Sequence, residues 1–222
     1  MSFKGKFTRL LGGMFLTDAS IASTEEMGGF RRLLLRCDVR APRAGTKVQL
    51  VLPSDDMRTY SPIGAADGLT LLGYTRAGGP GARWMSEVKA GDTVRFVGPQ
   101  RSLDLPDGPV ILVGDETSVA VAAAFETERP GQIHAVFQVN ALEDVDVAVR
   151  AMGLQQATIH PQGGIDDVVE AVLAARASAP TARLALTGGS ELVVAVRAAL
   201  HTHRIRDIKT KPYWVPGRMG LD

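Results

Sequence analysis

From residue 109 onward the chain keeps one rhythm, and few folds accept it. Residues 109–113, Pro-Val-Ile-Leu-Val, form an apolar run with no polar break, the pattern of a strand covered on both faces. An alanine-rich helical stretch follows at 118–128. Apolar segments at 132–139, 157–160 and 183–186 then alternate with helical patterns at 142–152, 165–177 and 191–201. Strand and helix in alternation need crossover connections, which build a parallel sheet with helices on both faces. The first half obeys a different rule. Short apolar runs at 30–38, 47–52, 57–61, 69–75 and 93–97 are punctuated by Gly- and Pro-rich loops at 41–45 and 64–68. That spacing predicts a small antiparallel barrel, with one helical break at 82–88 entered through Pro80. Leu103-Asp104-Leu105-Pro106-Asp107-Gly108 is the natural divide. The expected organisation is an all-β domain over residues 1–106 and an α/β domain over 107–222.

Three signals fall on this frame in a fixed order. The first is Arg58-Thr59-Tyr60-Ser61-Pro62. On a strand, Arg58 and Tyr60 share a face, so a planar cationic fork stands beside an aromatic ring, followed by a hydroxyl. Such a set can hold a phosphate, stack on a flat ring and hydrogen-bond to its edge. The bland alternative is a surface arginine and a barrel-packing tyrosine. The second signal, Gly79-Pro80-Gly81-Ala82, puts small residues where a helix begins, and free backbone N–H groups there suit a pyrophosphate. It serves equally as a tight turn, and Trp84 beside it reads as a packing anchor. The third is Gly114-Asp115-Glu116-Thr117, where a buried strand ends in glycine and runs into a helix, as at a dinucleotide site. Asp115 and Glu116 would repel a phosphate, so the nicotinamide or ribose end is expected there. Both carboxylates also suit a helix N-terminus for its dipole alone. Together these are the parts of a flavin site followed by a nicotinamide site.

Composition excludes more than it selects. A net charge of +1 over 222 residues argues against general nucleic-acid binding. The single cysteine, Cys37, rules out an internal disulfide and a multi-cysteine metal site, and its apolar surroundings make it a small hydrophobe. Four scattered histidines, His134, His160, His201 and His203, suggest no metal centre. No apolar stretch is long enough to cross a membrane, and no secretory leader is evident at the N-terminus, so a cytoplasmic protein without membrane insertion is expected. One local excess stands out. Arg204, Arg206, Lys209, Lys211, Tyr213, Trp214 and Arg218 crowd a basic, aromatic tail, which by itself reads as a solvated segment with two aromatics tucked against the body.

With Ala90-Gly91-Asp92 leading to Gly98-Pro99 and the late Tyr213-Trp214 and Gly217, these motifs resemble the siderophore-interacting proteins. That family is a branch of the ferredoxin–NADP reductase superfamily, and the likeness spans nearly the whole chain. The resemblance implies an antiparallel flavin-binding β-barrel followed by a parallel-sheet nucleotide-binding domain. It implies FAD, NADPH or NADH, and a ferric siderophore whose iron is released on reduction, with ferredoxin as another conceivable electron donor. Arg58, Thr59, Tyr60, Ser61, Gly79, Pro80, Gly81 and Ala82 would then contact FAD, with Tyr74 either joining them or packing on the barrel. Gly114, Asp115, Glu116 and Thr117 would take the nicotinamide nucleotide, and Lys209, Lys211 and Arg218 would attract an anionic chelate. Electrons pass through the flavin, so no catalytic side chain is assigned. Two alternatives stay open: the same cofactors with a free flavin, quinone or redox protein as acceptor, and, suggested by departures from the family pattern, a flavin- or siderophore-binding module with little turnover. Ile63-Gly64 stands where a basic residue is usual, Gly73-Tyr74 replaces His-Gly, and Gly188-Gly189-Ser190 precedes Glu191.

Overall fold

The computed structural model describes residues 16–54 and 56–217. Its first sheet is antiparallel and seven-stranded. The strands are β1 (Thr17–Met27), β2 (Phe30–Arg36), β3 (Thr46–Val51), β4 (Met57–Tyr60), β5 (Ile63–Ala65), β6 (Gly68–Tyr74) and β7 (Thr93–Arg101), in the order β4-β3-β7-β1-β2-β6-β5. The two edge strands, β4 and β5, are consecutive in the chain, joined only by Ser61-Pro62. Three residue steps reach roughly 10 Å at most, so the sheet must roll until its edges meet. That is the expected barrel. Helix α1 (Gly79–Glu87) closes one side, with Met85 fully buried against Gly73. Arg31 secures its far end, donating to the Met85 carbonyl at 3.1 Å and to the Ser86 carbonyl.

Two strands of this sheet escape the sequence pattern. β1 is long but polar, burying only Ala19, Ile21 and Met27, and a register shift between Ile21 and Ser23 breaks its alternation. β5 has three residues and lies in the segment expected to be a loop. Strands this short or this polar carry too little period-two signal to be seen.

The second sheet is parallel: β8 (Val110–Gly114), β9 (Ile133–Val139), β10 (Ala157–Pro161), β11 (Arg183–Gly189) and β12 (Ile208–Trp214), in the order β10-β9-β8-β11-β12. Its helices are α2 (Val119–Glu128), α3 (Leu142–Ala151), α4 (Asp166–Ser178) and α5 (Ser190–Thr202). α2 and α3 cover one face, α4 and α5 the other. The basic, aromatic tail is therefore structured through Trp214: it forms the edge strand β12. Its alternating lysines are also what an unpaired sheet edge commonly carries.

Every residue from Val119 to Phe125 is buried. A helix apolar all round needs cover all round, and α2 receives it by lying between the parallel sheet and β5 and β6 of the first sheet. Its alanines let both neighbours come close. Met27, Phe30, Ile63 and Leu72 thereby join one continuous apolar cluster with Leu112, Ala122 and Phe137. The segment 103–108 between the sheets is strapped down as well. Leu103 and Leu105 are buried, and Arg129 donates to the carbonyls of Leu105 and Pro106 at 3.1 and 2.8 Å. A shared core resists hinging, so the mouth between the sheets is a fixed shape.

Candidate functional site

Strand β4 pairs with β3 alone, placing Leu50 opposite Arg58 and Val48 opposite Tyr60. Thr59 points the other way and is exposed. The first turn of α1 comes directly onto the Arg58–Tyr60 face. A Cβ on Gly81 would stand 3.3 Å from both Arg58 Cγ and the Tyr60 hydroxyl, so a bare backbone is what permits the approach. The Tyr60 hydroxyl lies 3.4 Å from the Gly81 carbonyl, and its ring tilts against Trp84 with centroids 6.4 Å apart. Burial pushes the Tyr60 phenol far above its ordinary range, with Arg58 pulling the other way. Trp84 is thus the packing anchor its position suggested.

The start of α1 has no side-chain cap and no acidic residue in its first turn. Gly78, Gly79 and Pro80 are exposed, and a Cβ on either glycine would meet nothing within 4 Å. Uncapped N–H groups carry partial positive charge. Arg58 adds a full one: its guanidinium donates to the Met57 carbonyl at 2.7 Å and, among the described residues, pairs with Asp56 at 3.9 Å. The corner formed by Arg58, Gly79, Pro80, Gly81 and Ala82 is open, glycine-lined and electropositive. These residues fit a pyrophosphate.

In the parallel sheet, strand order reverses between β8 and β11, the switch point at whose carboxyl ends such sheets bind ligands. Gly114 to Thr117 leave β8 there, beside Gly188-Gly189 at the end of β11. The local chemistry differs from that of the first sheet. Asp115, 6% exposed, accepts four hydrogen bonds. One oxygen takes the Thr117 N–H at 2.9 Å and the Thr117 hydroxyl at 2.5 Å. The other takes the Gly189 N–H at 2.7 Å and the Trp214 indole N–H at 2.8 Å. Glu116 accepts the Asn140 backbone N–H at 2.6 Å and its side-chain amide at 3.3 Å, tying β8 to the end of β9. Gly114 has no spare room. A Cβ there would fall on the Ser118 side chain, which takes a hydrogen bond from Thr187 at 2.8 Å.

Residues of the two sheets meet across the mouth. Tyr213, at the end of β12, lies beside Ser61; burial pushes its phenol well above its ordinary range, the Ser61 contact opposing the shift and the Asp115 charge adding to it. Tyr74 packs on Phe30 with centroids 5.0 Å apart and lies within the influence of Glu116 and Asp144. Burial is the larger cause of its raised pKa, the two carboxylates adding to it and Arg76 opposing it. Arg76 and Asp144 form a two-pronged ion pair at 2.8 and 2.9 Å, fastening the loop before α1 to helix α3. Lys209 and Lys211 share one face of β12, and the register shift that carries Tyr213 follows them. Arg218 lies outside the described residues. Sequence reasoning missed the roles of Gly188, Gly189 and Trp214. The sequence offers two adjacent glycines at a strand end and a Tyr-Trp pair in the tail, and nothing local joins them.

Cys37 packs on the barrel core, and burial raises its thiol pKa. Among the described residues no group of three His, Cys, Asp or Glu side chains could hold a metal ion, and no helix is long and apolar enough to cross a membrane.

No family model and no curated protein matches the chain. Solved structures do. A siderophore-interacting protein from Acinetobacter baumannii superposes with a TM-score of 0.69 at 16% identity, over 93% of each chain. One from Aeromonas hydrophila gives 0.66 at 22% identity, over 93% of this chain and 94% of its own. A ferredoxin NADP+ reductase from Neisseria gonorrhoeae with bound FAD and NADP gives 0.69 at 16% identity, over 90% and 99%. Both kinds of neighbour agree with the resemblance drawn from the sequence. At such identities the likeness carries the architecture, and the chain has the ferredoxin-reductase-like fold: an antiparallel barrel followed by a five-stranded parallel α/β sheet.

Proposed function

We propose that this protein is an FAD-dependent oxidoreductase that takes electrons from NADPH or NADH and reduces ferric siderophores. The observation that carries the reading is the corner of Arg58, Tyr60 and the uncapped first turn of α1. It is an anion-binding arrangement with an aromatic ring beside it, and Ser61 leads from it to the mouth of the second sheet. Fold likeness to a reductase that holds FAD and NADP supports the cofactors, and likeness to siderophore-interacting proteins supports the acceptor.

Bound FAD would accept a hydride and pass electrons on singly, which is the chemistry an iron chelate needs. The chain's own residues would orient and bind. Arg58 and the N–H groups of α1 would hold the pyrophosphate, and Tyr60 would offer a ring face. The buried Tyr213 phenol, held in its neutral form, stands beside Ser61, and the Ser61 hydroxyl would be available to the cofactor edge. The nicotinamide nucleotide would dock at the switch point around Gly114 and Thr117. Lys209 and Lys211 would attract an anionic chelate, whose hard oxygen donors hold ferrous iron weakly. Residues 1–106 and 107–222 would divide these tasks between them.

The test is purification followed by anaerobic titration. A yellow protein, bleached by NADH or NADPH and recoloured by ferric chelates, supports the reading. Colourless protein that does not take up added FAD overturns it. Bleaching that only quinones or free flavin reverse would move the acceptor away from iron.

A further inference from the structure

The Asp115 carboxylate does something that neither helix capping nor nucleotide contact requires. It reaches across the sheet from β8, past β11, and holds the indole N–H of Trp214 on β12 at 2.8 Å. The ring it holds is 44% exposed. A tryptophan serving only to pack would be buried, and an exposed one without an anchor would turn freely. Here the indole is open on one side and pinned on the other. Two glycines make the arrangement possible. A Cβ on Gly188 would come within 2.6 Å of the Asp115 carboxyl carbon, and one on Gly189 within 2.7 Å of the indole. The register shift in the β11–β12 pairing, which sets Gly189 opposite Trp214, falls at this same step. Gly188 and Gly189 are therefore the seat of the Asp115–Trp214 contact.

We propose that Asp115 is a positioning residue that fixes Trp214 as a rigid aromatic wall for the planar ring of the electron-donor nucleotide. The inference rests on the reductase reading above. The wall stands at the start of α5 and the carboxyl ends of β8 and β11, where a parallel sheet of this order takes its ligand. A flat, preformed apolar surface spares a ligand the cost of ordering it. The charge-assisted hydrogen bond supplies the stiffness. Asp115 itself has no capacity left for the ligand, since both oxygens are already doubly engaged. Its influence on the donor passes through the ring.

The flavin-loaded protein carries two tryptophans, so its nitrogen–proton NMR spectrum should contain two indole signals, assigned by W214F. Trp214 should exchange its indole proton slowly, and D115N should make it exchange as fast as a free indole. In stopped-flow reduction, D115N should raise the apparent KM for NADH or NADPH about tenfold, the scale of one charge-assisted hydrogen bond. The maximal rate and reduction by dithionite should change little. W214F, which keeps a ring on Gly189 but has no N–H to give, should show the same split. The double variant should be no worse than either single one. If D115N does not fold, W214F carries the kinetic test alone. Fast indole exchange in the native protein, or multiplied effects in the double variant, would overturn the inference and leave the reductase reading intact. A native protein that binds flavin but is reduced by neither nucleotide would overturn both.

Discussion

The molecule contains two glycine-led turns that look alike in sequence and are opposites in space. At Gly78-Gly79, before α1, an added Cβ meets nothing within 4 Å, and the helix start is uncapped. At Gly188-Gly189, before α5, an added Cβ runs into Asp115 and Trp214. The first pair keeps space and donors free for something outside the chain. The second makes room for the chain's own side chains. A strand end rich in glycine is thus two different signals, and neighbouring residues decide which: open solvent and Arg58 in one case, a buried carboxylate and an indole in the other.

Substitutions can break this contrast, and the largest effect is expected at Gly114. Valine there would drive its methyl groups into the Ser118–Thr187 pair beneath the switch point. Overpacking a site with no slack should remove about 3 kcal/mol or more of stability. Gly114→Val should therefore lose flavin binding and nucleotide reduction together, with a clear fall in melting temperature. A folded variant that kept flavin and lost only reduction by nucleotide would mean that the small residue is required by the docking nucleotide and not by the packing beneath it.

Gly188→Ala and Gly81→Ala sharpen the contrast as a pair. Gly188 has φ +88 and abuts Asp115, so alanine adds backbone strain and displaces a buried carboxylate. The expected loss is about 3 kcal/mol in a denaturant titration, with little direct effect on flavin affinity in the folded fraction. Gly81→Ala should do the reverse. Its Cβ would stand 3.3 Å from Arg58 Cγ and the Tyr60 hydroxyl, a tight contact short of overlap, so the stability loss should stay near about 1 kcal/mol while flavin binding weakens. Equal patterns for the two variants would erase the distinction between an open and a filled turn. Arg58→Ala tests the open corner without touching its backbone. Loss of a charge-assisted contact of about 1.5–3 kcal/mol should raise the dissociation constant for FAD roughly 10- to 150-fold, measured by titration of the flavin-free protein.

How much of this was legible beforehand follows from how local each signal is. The parallel sheet was visible because each of its first four strands is a self-contained apolar run and each helix has its own stretch. The Arg58–Tyr60 face was visible because period two is a property of adjacent residues. β12 was not seen as a strand: Lys209, Lys211 and the two aromatics looked like a tail, and only pairing with β11, more than twenty residues earlier, makes that segment extended. The Asp115–Trp214 contact spans 99 positions and has no local signature at all. The same holds for Arg76 and Asp144, 68 positions apart. Residues that act within one element announce themselves, and residues that join elements do not.

The smallest expected effect concerns the edge of the second sheet. Lys209 is exposed and Lys211 half-buried, and both share one face of β12 ahead of the register shift that carries Tyr213. With strands rising about 3.3 Å per residue, Lys211 stands roughly 7 Å and Lys209 roughly 13 Å along the strand from Tyr213. On a protein of net charge +1, an anionic chelate is drawn by such local charge rather than by the molecule as a whole. Exposed charges act weakly, about 1 kcal/mol or less each, and salt screens them over about 10 Å at 0.1 M. Neutralising both as Lys209→Gln and Lys211→Gln should raise the apparent KM for an anionic ferric chelate about fivefold at low salt. The effect should fade as salt is added. A neutral ferric hydroxamate, and reduction of the bound flavin by the nucleotide, should be almost unaffected. If charged and neutral chelates respond alike, the lysines protect a sheet edge against pairing and take no part in recognition.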